Sequence, residues 1–354
     1  MVRLLALLVV LILVLGGAAA FVVYSRVDQP FRGYEGETQE VEIPPGSGTR
    51  AIGEKLVQSG VVRDTVTYRV ALWLSGEARR LKAGEYRFDR PMSARDAIGK
   101  IARGEVDLVN ITFREGLTVA DMGAIFEAQG LGSAASFREA ASDGTLVHDL
   151  DPAAKDLEGY LFPETYAVSR HVAPQQLVKA MVDRFKHVLT PDLRDAASAR
   201  RLSIRQLVTL ASIVEKETGA VEERPLVAAV YSNRLKIGMG LQCDPTVIFA
   251  LQREGRFNGN LTRDDLAFDS PYNTYRYPGL PPGPIAAPGK GSLEAAAHPA
   301  DADYLYFVSR NDGTHAFART LDEHNRNVQK FQVQYFRDKR IAERRREQPS
   351  SSSH

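Results

Sequence analysis

The chain has 354 residues with 44% hydrophobic and 25% charged side chains, a composition that fits two or three globular domains and excludes a disordered or polytopic membrane protein. Lys and Arg number 45 against 44 Asp and Glu, so no sequence-wide positive field exists for binding nucleic acid. The one cysteine, Cys243, cannot form an intramolecular disulfide or a Cys-rich metal site.

From Leu4 to Tyr24 runs a stretch of 21 residues without a charge, which as a helix spans about the thickness of a bilayer core. It predicts a transmembrane anchor over residues 1–25, with a short cytoplasmic N-terminus and the remainder exported. A cleavable signal peptide is the alternative, given Ala18-Ala19-Ala20, although the apolar run is longer than a usual signal core. Residues 26–38 are polar, contain Pro30 and several glycines, and read as a tether.

An internal repeat follows. VEIPPGSGTRAIGEKLVQSGV from Val41 aligns without a gap to ITFREGLTVADMGAIFEAQGL from Ile111. Val41 matches Ile111, Ile43 matches Phe113, Leu56 matches Phe126, and Gly60 matches Gly130. Each copy reads as strand, Gly turn, then a helix stopped by Gly. Tyr86–Phe88 reads as a further strand and Ser93–Arg103 as a helix, so residues 39–140 are expected to form a small α+β region.

A second α+β region is expected over 141–338. LEGYLFPETY, from Leu157, suits an ordered loop, and helical patterns cover Pro174–Leu189 and Ser203–Thr218. The proline-rich, aromatic stretch Asp269–Pro288 can be neither a long helix nor a central strand. Tyr304–Ser309 reads as a strand and Leu321–Arg337 as a helix. Residues 339–354, basic and then Ser-rich, are expected to be a solvated tail.

The helix from Ser203 opens with a capping box to Gln206. Ile204, Val208 and Ala211 form an apolar stripe whose next position is Glu215. A carboxyl on a buried face is costly unless paired or used. Burial and the helix C-terminus both favour its neutral form, as a general acid needs. Two readings stay open, a general acid or a structural ion pair with Arg224 or Arg234. Glu217 points about 200° from Glu215 and reads as an ordinary exposed residue.

Other chemistries lack their motifs. GPIAAPGK, from Gly283, has the wrong glycine spacing for a phosphate loop and Gly291 where Ser or Thr is needed. His298, His315 and His324 lack metal-ligand spacing, and neither HExxH nor GxSxG occurs. No metal and no cofactor is expected.

LASIVEKET (Leu210–Thr218), NRLKIGMGLQCDPTV (Asn233–Val247), PYNTYRYPGLPPGPIAAPG (Pro271–Gly289), AAAHP (Ala295–Pro299) and YLYFV (Tyr304–Val308) occur in this order. Together with LEGYLFPETY they resemble the YceG-like family of endolytic murein transglycosylases. The resemblance implies a single-pass protein of the cytoplasmic membrane, with a LysM-like region near residues 39–140 and a catalytic domain on the outer, periplasmic side. It also implies cleavage of the MurNAc–GlcNAc bond of nascent peptidoglycan strands, leaving 1,6-anhydro-MurNAc ends.

On this resemblance the family's catalytic glutamate falls on the first Glu of VEKE, Glu215, acting first as acid and then as base. Substrate-positioning candidates are Asn233, Gln242, Asp244, Tyr272, Asn273, Thr274, Tyr275 and Glu164, each with a scaffold reading beside the ligand one. Cys243 stands where the family suggests Thr or Ser. Partners are glycan strands, the membrane through residues 4–24, and peptidoglycan synthases or division proteins. The competing functions are a water-using muramidase, with a second carboxylate such as Asp244, and a non-catalytic peptidoglycan-binding scaffold.

Overall fold

The structure is a computed structural model that describes residues 2–347. Two compact units make up the chain, one holding residues up to Asn110 together with Ala167–His171, the other Ile111–Tyr166 and the chain from Val172 onward. The fold is mixed α and β.

In the first unit α1 (Val2–Val27) is followed by β1 (Gln39–Ile43), α2 (Thr49–Gln58), α3 (Thr65–Ser75), β2 (Gly84–Phe88) and α4 (Ala94–Arg103). Strands β1 and β2 pair antiparallel with Val41 opposite Tyr86. Both fall on the buried face, and Ile98 and Ile101 of α4 pack against it. Asp64 caps α3 and Ser93 caps α4 through side-chain oxygens, the ordinary way to satisfy a helix start.

Residues 26–38, expected as a tether, are instead pinned to this core. Val27 is fully buried, Asp28 pairs with Arg95 at 2.6 Å, and Phe31 forms a bridge with Met92. Among the described residues no helix is long and apolar enough to cross a membrane. Most of the N-terminal half of the expected 4–24 anchor carries side chains outside the described set.

The repeat is structural. The second copy forms β3 (Val109–Thr112) and α5 (Val119–Ala128), and the matched glycines Gly60 and Gly130 have φ of 71° and 70°. The copies do not share a unit, however, which corrects the single region expected over 39–140. Phe113 of the second copy packs on Phe137 and on Tyr166, beyond the expected region (centroids 6.0 and 6.2 Å apart), and the second unit begins at Ile111 rather than at 141.

The second unit continues with α6 (Ala134–Ala140), β4 (Thr165–Val168, paired with β3), α7 (Pro174–Val188), α8 (Pro191–Ala199), α9 (Ile204–Glu217), α10 (Arg224–Lys236), α11 (Asp244–Arg253) and α12 (Lys290–Ala297). It closes with the hairpin β5 (Tyr306–Ser309) and β6 (His315–Ala318), then α13 (Leu321–Val328) and α14 (Tyr335–Glu347). Helix therefore persists past 339, where a solvated tail was expected. The Ser-rich end lies outside the described residues.

Helix α9 is the axis of this unit. Its eight successive residues Leu207–Val214 are all buried, the signature of a helix packed on every side rather than along one stripe. The proline-rich segment runs against it, with Ile285 N–H donating to Ser212 Oγ at 3.1 Å.

Gly159 of the LEGYLFPETY block explains why the two motif blocks belong together. A Cβ built there would sit 2.3 Å from Pro284 Cβ, at φ +81°. Gly159→Ala is expected to cost about 2–3 kcal/mol, from ring clash plus backbone strain. Gly279→Ala, at φ +95° but with open space around it, should cost only about 1–2 kcal/mol. Urea denaturation of the two variants checks the difference.

Candidate active site

The last turn of α9 carries two carboxylates with opposite surroundings. Glu215 has a side chain only 6% exposed. Its Oε1 accepts from Arg224 Nη2 at 3.0 Å and its Oε2 from Gly289 N–H at 3.0 Å. The same Arg224 Nη2 reaches Glu115 Oε2 at 3.1 Å. With both oxygens engaged by donors and one facing a buried guanidinium, this is the geometry of an ion pair and not of a proton donor to substrate. Of the two readings left open for Glu215, these contacts are those of the structural ion pair with Arg224.

Glu217 has the other environment. It lines a cleft of about 270 Å³ with Tyr231, Arg234, Gln242, Asp244 and Tyr275 among its neighbours. Tyr231 Oη donates to Glu217 Oε1 at 2.6 Å. Burial pushes its pKa above the ordinary glutamate value, and the Asp244 charge acts in the same direction. Hydrogen bonds from Cys243 and Tyr231 hold back part of that rise. A carboxyl whose protonated form is favoured by burial, set beside a cleft, is what general acid chemistry requires.

Segments far apart in the chain build the cleft. Glu217 comes from the end of α9 and Tyr231 from the middle of α10. Arg234 Nε donates to Leu305 O and its Nη1 to Leu241 O, both at 2.7 Å, which fixes the strand-like approach to α11. That approach delivers Gln242, with φ +49°, and Asp244, whose Oδ1 accepts from Tyr275 Oη at 2.6 Å. The thiol of Cys243 points inward, 1% exposed, and burial holds its pKa well above the usual thiol range. His324 stacks on Tyr306 with centroids 5.2 Å apart and also lines the cleft. Burial lowers its pKa, favouring the neutral ring.

Of the substrate-positioning candidates, Gln242, Asp244 and Tyr275 meet at this cleft. The others take structural or separate places. Asn233 Nδ2 donates to Ala302 O and Tyr304 O at 2.7 and 3.1 Å. Asn273 Nδ2 donates to Leu266 O and Phe268 O at 2.9 and 2.8 Å. Thr274 Oγ1 accepts from Cys243 N–H at 3.0 Å, anchoring the approach to α11 from behind. Glu164 is held by Arg184 through two contacts of 2.6 and 3.0 Å.

Tyr272 lines a different cavity, of about 310 Å³, with Glu158, Arg205 and Arg253. In it burial raises the Glu158 carboxyl to about 8, while both of its oxygens accept from Val119 N–H at 3.2 Å.

Residues 41–330 match the sequence profile of the YceG-like family. A Bacillus subtilis (strain 168) protein named endolytic murein transglycosylase is 32% identical over 335 residues, covering 90% of this chain and 91% of that protein. A Streptococcus pneumoniae (strain D39) protein of the same name is 30% identical over 323 residues, covering 81% of this chain but 57% of its own length. The crystal structure of a YceG-like protein from Listeria monocytogenes aligns with a TM-score of 0.56 and 32% identity, covering 82% of this chain and 98% of that one.

Proposed function

The chain belongs to the YceG-like family, and from that premise we propose that it is an endolytic murein transglycosylase whose general acid is Glu217. As a lyase it cleaves the MurNAc–GlcNAc bond of peptidoglycan strands and leaves 1,6-anhydro-MurNAc ends. The observation that carries the assignment is the contrast within one helical turn. Glu217 lines a cleft with its proton favoured by burial, while Glu215 is closed off by Arg224 and Gly289.

Glu217 protonates the departing glycosidic oxygen and then takes the proton of the C6 hydroxyl as that oxygen closes on C1. The substrate supplies the nucleophile, so one carboxyl serves where ordinary glycosidases use two. Gln242, Asp244 and Tyr275 present amide, carboxylate and aromatic surface to the sugar. Asp244, the second carboxylate of the same cleft, supports a muramidase as the competing reading. Digestion of uncrosslinked glycan strands followed by mass spectrometry separates the two: anhydro ends are expected, and reducing ends would overturn the lyase assignment.

The pH profile gives an independent check. The acid works protonated, so activity falls as pH rises through the Glu217 pKa. Tyr231 donates to the carboxylate and lowers that pKa. Tyr231→Phe should therefore move the basic limb to higher pH, by about one unit or less, with an unmoved limb counting against Glu217.

The location completes the reading. Residues 4–24 anchor the chain in the cytoplasmic membrane in a single pass, with the catalytic unit outside. The support is the uncharged run itself and the exposed apolar side chains on α1, among them Leu13, Leu15 and Phe21. The β1–α2–α3–β2 order supports a LysM-like, glycan-binding reading of the first unit.

A further inference from the structure

The end of α1 is built into the first unit rather than hung from it. Val27 is fully buried in the same core as Val41, Tyr68 and Phe88. Phe31 exchanges backbone hydrogen bonds of 2.9 and 3.3 Å with Met92. No slack separates the helix from the body, so the depth of α1 fixes the height of whatever packs beside it.

What packs beside it is α3. Val66, Val70 and Trp73 recur at intervals of four and three and share one face of that helix. Trp73 is 80% exposed and Val66 55% exposed. With Phe21, Tyr24 and Leu74 they line an open apolar hollow of about 600 Å³. Phe21 and Tyr24 are themselves exposed, so uncovered apolar surface runs unbroken from the last turns of α1 onto α3. A water-facing surface does not ordinarily leave such a patch bare. Arg69, exposed on α3, and Arg26, just past Tyr24, place cations at its border.

We propose that the face of α3 bearing Val66, Val70 and Trp73 lies in the headgroup region of the bilayer that α1 crosses, with phospholipid as its partner. This rests on the anchor reading of residues 4–24. Tyr24 closes the uncharged run and so marks the water-side boundary of the hydrocarbon. Trp73 shares the hollow with Tyr24, at the depth where an indole with one apolar and one hydrogen-bonding edge is most stable. The arginines meet lipid phosphate at the same level.

Trp73 is the only tryptophan of the chain, so its emission reads this face alone. The full chain is reconstituted in phosphatidylcholine vesicles, either plain or brominated near the headgroup end of the acyl chains. Brominated lipid should cut Trp73 emission about two-fold or more, while aqueous iodide leaves it largely intact. Val66→Asp, at an exposed position that does not hold the core, should reverse most of the lipid quenching.

Vesicle flotation separates the ways of failing. A chain that floats with vesicles but escapes brominated lipid overturns the α3 contact and leaves the anchor standing. A chain that does not float overturns both. Emission that responds only to protein density, or only to soluble glycan, assigns the face to a second copy or to substrate and overturns the proposal equally.

Discussion

Glu217→Gln is expected to abolish the release of anhydro-ended strands, by about three orders of magnitude or more, in a protein that still folds. A primary amide has the shape of the carboxyl and still accepts from Tyr231, so the cleft keeps its walls. It cannot deliver a proton to the glycosidic oxygen or take one from the C6 hydroxyl, and loss of a placed acid–base group costs about 10²–10⁴ in rate for each role. Mass spectrometry of the products measures the loss, and a thermal melt close to the parent's certifies the fold. Glu215→Gln should show the reverse pattern, a lower melting point with chemistry largely retained. Normal turnover in Glu217→Gln alongside a dead, stable Glu215→Gln would return the acid to Glu215.

Arg224→Met is expected to be the most destabilising single change in the second unit. The side chain of Arg224 is 10% exposed and lies between Glu115 and Glu215. Removing the cation leaves the Glu215 carboxylate, 6% exposed, with only the Gly289 amide. Breaking one half of a buried pair costs about 3–5 kcal/mol, or roughly 6–20 °C in Tm for a unit of this size. Replacing both partners, as Arg224→Met with Glu215→Leu, should recover a large part of that loss, since apolar packing can match a buried pair. Failure of the double variant to recover stability would show that Arg224 acts through Glu115 instead.

The sequence made much of this legible. The two strand–turn–helix copies, the capping box at Ser203 and the strand at Tyr306 announce themselves by local alternation and turn chemistry, and local rules govern them. The boundary at Ile111 does not, because whether Phe113 packs with the first copy or with Phe137 depends on which aromatic rings meet in space. The stripe through Ile204, Val208 and Ala211 points to a buried carboxylate at Glu215, and of the two arginines the sequence offers as partners, Arg224 is the one that pairs with it.

The buried surroundings of Glu217 are not legible from a helical wheel with one dry face and one wet one. The run LVTLASIV carries no charge on any side, and Leu210 and Ile213 flank the direction in which Glu217 points, which is the available signal that this side of α9 is not an ordinary wet face. Asn233, Asn273 and Thr274 carry sugar-binding chemistry in their side chains. All three spend it on backbone atoms of neighbouring segments, which spacing along a chain does not reveal.

Cys243 brings one more consequence. A solitary thiol, sealed from solvent and kept protonated, reacts with an alkylating reagent only when the segment carrying it swings out. Its labelling rate under native conditions is therefore a clock for local opening of the catalytic floor, readable apart from global unfolding. A bound glycan that holds Gln242 and Asp244 should slow that clock in proportion to its occupancy, turning a chemically silent residue into a gauge of how tightly the cleft closes on its strand.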